Sequence, residues 1–206
     1  MVLGVVFAAV WFVDTYYFPN GHDDWKGRGE LVSAPDPAAA LPQPAGNLVG
    51  DSPDDLAGLA GYRAEQFILG VAGVPGSVSS TCPGAPKDGW LRCNVTYDGL
   101  RAEVEVRTSV YEPDRDTGAP LIPLVYNRDM LHVRPHTVVV TRHGVLTALF
   151  QRFSDYGELR CERLPVRAVL KLNGPQAPTC YGYPPGHGIT RIRFLIDDDT
   201  LFAKRF

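Results

Sequence analysis

Residues 90–111 read WLRCNVTYDGLRAEVEVRTSVY, and apolar and polar side chains alternate along almost the whole stretch. Alternation with a period of two predicts β-strands that have one buried and one exposed face. The two strands, Trp90–Tyr97 and Leu100–Tyr111, are separated by Asp98-Gly99, a dipeptide typical of a two-residue hairpin turn. The stretch therefore predicts an antiparallel hairpin that packs one face into a core.

A helix is predicted before this hairpin. Ser52 can cap its first turn, Pro53 suits the first helical position, and the two aspartates that follow favour the positive end of the helix dipole. Apolar residues then recur at helical spacing as far as Val71, and Pro75 lies just beyond the predicted end.

Further strands are predicted after the hairpin, at Thr137–Thr141, Val145–Phe153 and Thr190–Ile196, with a turn at 142–144 joining the first two. The stretch Leu164–Leu172 fits either a strand or a short helix. Together these elements predict an α+β fold in which one N-terminal helix packs on an antiparallel β-sheet.

The first 13 residues, MVLGVVFAAVWFV, carry no charge, and aromatic residues surround the first charged one, Asp14. The run is shorter than the roughly 20 apolar residues of a spanning helix, and no lysine or arginine precedes it. Either the natural chain starts upstream of Met1, or the run is the short hydrophobic region of an export signal. Because no cleavage site follows, residues 1–18 are interpreted as an uncleaved membrane anchor, with a buried element of the domain as the alternative.

Residues 19–53 are rich in proline, glycine and small polar residues and have no helical or strand period. They predict a semi-rigid linker, and residues 54–206 then form an extracytoplasmic domain. His22-Asp23-Asp24 could hold a metal, but in an acidic linker these side chains are interpreted as solvated surface.

The charge distribution argues against one class of function. Residues 54–206 carry 18 basic and 17 acidic groups, so the domain lacks the positive field that nucleic-acid binding needs. The chain has 45% hydrophobic and 21% charged residues, which is typical of a globular protein. Arginine outnumbers lysine by far, as is usual for proteins of GC-rich bacterial genomes.

Four cysteines, Cys82, Cys93, Cys161 and Cys180, follow the apolar segment. An even number of cysteines in an exported chain predicts disulfides, and four cysteines allow three pairings. Pairing of sequence neighbours is favoured, because Cys82–Cys93 and Cys161–Cys180 each enclose a short loop rich in proline and glycine. Zinc is disfavoured, since no closely spaced Cys-x2–4-Cys pair is present.

A short motif within residues 67–108 carries a family resemblance. Its matching residues are Cys82-Pro83, Gly89, Cys93-Asn94-Val95-Thr96, Asp98-Gly99 and Val104-x-Val106. The stretch resembles a recurring small extracytoplasmic domain of actinobacterial membrane proteins and lipoproteins, and it covers about a fifth of the chain. The resemblance implies a disulfide between Cys82 and Cys93 and implies no enzymatic activity. It leaves the last hundred or so residues unexplained.

Catalytic candidates are few, because no nucleophile elbow, phosphate-binding loop or zinc-protease motif occurs in the sequence. His132 and His136 could share a strand face near His143, but Pro135 interrupts that strand and no third ligand is placed by spacing. These histidines are interpreted as surface or turn residues. We therefore expect neither a metal nor a cofactor.

Two acidic groups have simple structural interpretations. Glu103 and Glu105 share a strand face with Arg101 and Arg107, which predicts a charge-balanced exposed face rather than a pair of catalytic carboxylates. Asp197-Asp198-Asp199 lacks the alternating oxygen ligands and the distal glutamate of a calcium loop, so a solvated turn is predicted there.

Tyr181 and Tyr183 follow Cys180 in a stretch that is rich in aromatic residues and proline. This stretch is a candidate interaction loop for a protein or glycan, but a rigid loop held by Cys180 is the favoured interpretation.

The sequence thus predicts a membrane-tethered, extracytoplasmic interaction or accessory domain of unknown ligand. Its partner would be a membrane or cell-envelope protein, contacted through the sheet or through the loop enclosed by Cys161 and Cys180. The alternative function is an extracellular hydrolase with a His/carboxylate site. A concave pocket holding His132 or His136 beside a carboxylate would favour the hydrolase, whereas a flat exposed apolar patch would favour binding.

Overall fold

The computed structural model describes residues 27–37, 40–41, 56–107, 132–171, 177–184, 188–197 and 200–206. These residues form two helices, α1 and α2, and eleven strands, β1 to β11. The helices are α1 (Leu56–Ala72) and α2 (Arg142–Phe153). The strands are β1 (Glu30–Val32), β2 (Val78–Thr81), β3 (Trp90–Tyr97), β4 (Leu100–Arg107), β5 (Val133–Pro135), β6 (Val138–Thr141), β7 (Leu159–Glu162), β8 (Arg167–Leu170), β9 (Thr179–Gly182), β10 (Thr190–Asp197) and β11 (Thr200–Arg205).

The strands form three sheets, and all the strand pairs are antiparallel. The five-stranded sheet has the order β1-β7-β9-β10-β11, the four-stranded sheet has the order β2-β3-β4-β5, and β6 pairs with β8. The predicted α+β content and antiparallel pairing are thus confirmed. The predicted single sheet is replaced by three.

The hairpin of β3 and β4 forms as predicted. Its two strands pair from Trp90 to Tyr97, and the alternate residues of β3 that begin with Leu91 are buried. The turn places Asp98 at φ 46° and Gly99 at φ 82°, the left-handed backbone that a two-residue turn between twisted strands requires. Residues 108–111, which the pattern adds to β4, lie outside the described residues.

The prediction of a strand at Val145–Phe153 is wrong, because these residues belong to α2. The hydroxyl of Thr141 accepts a hydrogen bond from the amide of Gly144 at 3.0 Å, which caps the helix, and it donates to the carbonyl of Ala72 at 2.6 Å. Val145, Leu149 and Phe153 recur every four residues and are all buried. The helical period was present, but the β-branched and aromatic composition obscured it.

The helix α1 is not the first element of the fold. Glu30–Val32, inside the stretch predicted to be a linker without secondary structure, forms β1 and pairs with β7. The ambiguous stretch Leu164–Leu172 contains the strand β8. Neither of the helices that are described has the length and apolar composition needed to cross a membrane.

Both predicted disulfides are confirmed. Cys161 and Cys180 lie directly opposite each other on β7 and β9, with their Cα atoms 4.0 Å apart. Cys82, just after β2, bonds to Cys93 on β3 with a Cα separation of 4.1 Å. One bond therefore joins the neighbouring strands β7 and β9, and the other joins the residue after β2 to the neighbouring strand β3.

We expect Thr141→Ala to lower the free energy of unfolding by about 2 kcal/mol, because it removes the cap of α2 and leaves the buried Ala72 carbonyl without its donor. Urea unfolding followed by circular dichroism measures the change. Thr141→Ser keeps the hydroxyl and serves as the control. Equal stability of the Ala and Ser variants would contradict the role given to this hydroxyl.

Candidate binding surface

One side of the five-stranded sheet faces the core, and the other side faces solvent. Across the exposed side, directly paired residues form a row that crosses the sheet, which we call the outer row. It consists of Leu31, Arg160, Tyr181, Arg191 and Phe206. Phe206 follows β11 and joins the row because its amide donates to the carbonyl of Arg191 at 2.8 Å.

The disulfide Cys161–Cys180 lies directly behind the outer row. Both cysteines are fully buried, and each is next in sequence to a member of the row, Arg160 or Tyr181. Because successive residues of a strand point to opposite faces, the bond ties β7 to β9 on the core side while Arg160 and Tyr181 lie side by side on the other. The disulfide therefore fixes the spacing of the row.

Arg28 covers the ring of Tyr181. Its guanidinium carbon lies 5.3 Å from the ring centroid, which is a cation–π distance, and only 7% of Tyr181 is exposed. Gly29 allows this approach, since its φ is 75° and an added Cβ would lie 2.3 Å from the carbonyl oxygen of Cys161. The surface at Tyr181 is therefore a guanidinium supported by an aromatic ring.

Cations dominate the exposed side of this sheet. Among the side chains whose placement is described, the basic residues are Arg28, Arg160, Arg191, Arg193 and Lys204, and the acidic ones are Glu158 and Glu162. Arg160 is mostly buried, and its Nε lies 3.7 Å from the Glu158 carboxylate. The guanidinium of Arg193 lies 4.7 Å from the ring centroid of Phe206. We call these seven residues, together with the outer row, the basic face. Since residues 54–206 are close to neutral as a whole, this positive charge is a local property.

Apolar side chains lie at both ends of the outer row. Leu31 on β1 is 57% exposed, and Phe206 after β11 is 60% exposed. They are among the few large apolar side chains of the described residues that are strongly exposed. The basic face therefore combines central cations with an apolar group at each edge.

The two tyrosines of the candidate interaction loop both lie at this face. Tyr181 is in β9, and Tyr183 follows it, partly buried, with its amide donating to the carbonyl of Glu158 at 3.3 Å. Because Tyr181 lies beneath Arg28, its ring acts as a support. Binding of a partner by this segment stays a prediction.

A second cluster of charged side chains lies on the exposed side of the four-stranded sheet. Arg92 pairs with Glu103, and Arg134 donates to Glu105 through Nε at 2.8 Å. The His136 Nε2 atom is 3.3 Å from Glu105 Oε2. The glutamates are thus charge-balanced, as predicted for this face, although these partners come from β3 and the β5 region.

The pKa of Glu105 reflects opposing effects. Partial burial alone would raise the pKa of this carboxyl, but hydrogen bonds and charge interactions with Arg134 and His136 outweigh burial and lower it below 4.5. Glu105 is therefore ionised at neutral pH, and it is unsuited to donate a proton there.

His136 also lines a cavity of about 370 Å³ together with Thr137, Leu170 and Ile196. The hydroxyl of Thr137 accepts a hydrogen bond from the amide of Glu103 at 2.9 Å. His132 lies at the other end of β5, and His143 lies in α2. In the described part of the chain, no group of three or more histidine, cysteine, aspartate or glutamate side chains could hold a metal ion. Asp198 and Asp199 lie outside that part.

Comparison of the chain with protein-family models, with curated proteins and with solved structures finds no match.

We expect the double variant Cys161→Ala/Cys180→Ala to lose about 3 kcal/mol of unfolding free energy, because the unfolded chain regains the freedom of a closed loop. It should also lose hydrogen-exchange protection at the amides of Tyr181 and Arg191. Cys82→Ala/Cys93→Ala is the matched control, with a comparable loss of stability and unchanged protection at these two amides. Unchanged protection in the first variant would contradict the role of the disulfide in fixing the outer row.

We expect Glu105→Gln to reduce the pH dependence of the free energy of unfolding at acid pH. The folded state lowers the pKa of Glu105, so its contribution is present above the unfolded pKa, near 4.5, and is lost as pH falls through the folded value. The wild-type chain should therefore lose stability below about pH 4.5 more steeply than the variant. Urea unfolding at a series of pH values measures this. Arg101→Gln, on the same face, is the control, and parallel curves for Glu105→Gln and wild type would refute the assignment.

Proposed function

We propose that this chain is a membrane-tethered, extracytoplasmic interaction domain that contacts an anionic partner through its basic face. The outer row is the observation that carries the proposal. The exposed guanidinium groups of Arg28, Arg191 and Arg193 lie between two exposed apolar side chains. This arrangement is complementary to a surface that offers carboxylates or phosphates beside apolar groups.

The arginines of this face are partly ordered before any partner arrives. Arg28 lies over Tyr181, and Arg193 lies over Phe206. Since the entropy of ordering a long side chain opposes binding, a guanidinium held by an aromatic ring loses less on contact. Arginine and aromatic residues are also the types that contribute most to binding energy at interfaces.

Two features support the location outside the cytoplasm. The four cysteines are all paired in disulfides, which persist in oxidising compartments. The apolar residues 1–13 provide the proposed tether, with the domain on the extracytoplasmic side of the membrane.

A hydrolase remains the second candidate, because His136 lines a cavity and lies beside Glu105. A carboxylate in this position can orient a histidine base. However, Glu105 is also held by Arg134, and the hydroxyl of Thr137 is engaged with the backbone. This site thus has a base and an orienting group but no placed nucleophile, so the binding function is preferred.

Site-specific photocross-linking in native membranes tests the binding function. A photoreactive side chain would replace Lys204 on the basic face of the full-length chain, and the control position is Arg101, exposed on the four-stranded sheet. We expect a discrete cross-linked species from position 204 and none from position 101, with mass spectrometry identifying it. Cross-linking of equal yield at both positions, or at neither, would exclude the basic face as the contact surface.

A further inference from the structure

We propose that the occupant of the basic face is the anionic lipid surface of the membrane to which the chain is tethered. This inference rests on the proposed function and names its partner.

The position of β1 brings the basic face close to the tether. A linker over residues 19–53 would separate the apolar segment from the domain by 35 residues, but β1 already belongs to the folded sheet at Glu30. Only 14 residues lie between Val13 and Arg28, so the chain can span at most about 50 Å between them. The domain is therefore held within reach of the bilayer.

The described chain also begins at the basic face. Arg28 covers Tyr181 on this face, Leu31 follows on the same face, and β1 is an edge strand. The basic face can thus contact the membrane without the preceding segment having to wrap around the domain.

The chemistry of the face matches a lipid headgroup layer. Its excess of arginine and lysine would be attracted to anionic headgroups, and guanidinium groups bind phosphate oxygens in pairs. Leu31 and Phe206 lie about 19 Å apart across five strands, so both can enter the boundary between headgroups and acyl chains while the cations remain at phosphate level. An acidic protein would neutralise the cations of the face. A lipid surface also accounts for the exposed apolar side chain at each edge, which an acidic protein does not require.

Fluorescence quenching by brominated lipids tests whether the face touches the membrane. Phe206→Trp, in the full-length chain reconstituted into vesicles, places a fluorophore at one end of the outer row. The control is Val166→Trp, because Val166 is 80% exposed and lies away from the basic face. Its carbonyl accepts a hydrogen bond from the amide of Arg142, at the start of α2, on the core side of the sheet. The signal of the unsubstituted chain, which contains three tryptophans, is subtracted.

We expect the tryptophan introduced by Phe206→Trp to be quenched in vesicles that contain phosphatidylglycerol and not in vesicles of phosphatidylcholine alone. The fluorescence of the tryptophan introduced by Val166→Trp should be unchanged in both kinds of vesicle. Salt at about 0.5 M should release the face, because it screens surface charge. Each cation near an anionic surface contributes about fivefold to binding, so adding Arg191→Ala and Arg193→Ala should weaken docking about thirtyfold and abolish the quenching.

Arg101→Ala/Arg107→Ala is the matched charge control, since it removes two exposed arginines from the four-stranded sheet. It should leave the quenching at position 206 intact. Quenching that is absent, that does not depend on lipid charge, or that is lost equally with the control pair would overturn the lipid proposal. If the photocross-link at position 204 then identifies a protein, the binding function survives and only the lipid partner fails; if that cross-link is also missing, both fail.

Discussion

Burial of the apolar face of α1 is the constraint on which the rest of the domain depends. Ala60, Ala64, Phe67, Ile68 and Val71 are almost completely buried. The helix packs against strands of all three sheets, including β3, β6 and β11, and it contacts α2. Each large apolar side chain buried in this way contributes roughly 2 kcal/mol. No sheet alone could bury its inner side, so the helix is the element that makes them one core.

The hairpin, α1 and the disulfides could be predicted because their signals are local. Strict alternation, a turn dipeptide and closely spaced cysteines each need only a short window of sequence. The strand β1 could not be predicted in this way, since its partner Leu159–Cys161 lies about 130 residues further along the chain. Its three residues fall among prolines and glycines, so pairing with β7, rather than intrinsic preference, decides their conformation. The helix α2 was missed for a different reason. Thr141 ends the strand β6 as predicted and also caps α2, but no glutamate or glutamine follows three residues later to mark the start of a helix.

The candidate surface was predictable only in part. Tyr181 and Tyr183 are aromatic residues close to a cysteine in sequence, which makes them candidates, and both lie at the basic face. The other members come from strands that are far apart in sequence, and which of them become neighbours depends on the register of pairing. One local signal was available, since Arg191 and Arg193 alternate with Ile192 and Phe194 and so predict an exposed basic strand face. The link between Glu105 and His136 likewise needs the pairing of β4 with β5.

The contribution of β1 changes where the folded unit begins. A shortened chain that starts at residue 54 would leave the outer edge of β7 without a partner, with its amide and carbonyl groups open along Leu159–Cys161. Such an open edge is a template for pairing with a second molecule, and so for aggregation. It would also lose Arg28, exposing the ring of Tyr181 beside that edge. A shortened form of this domain therefore has to retain the residues from Arg28 onward.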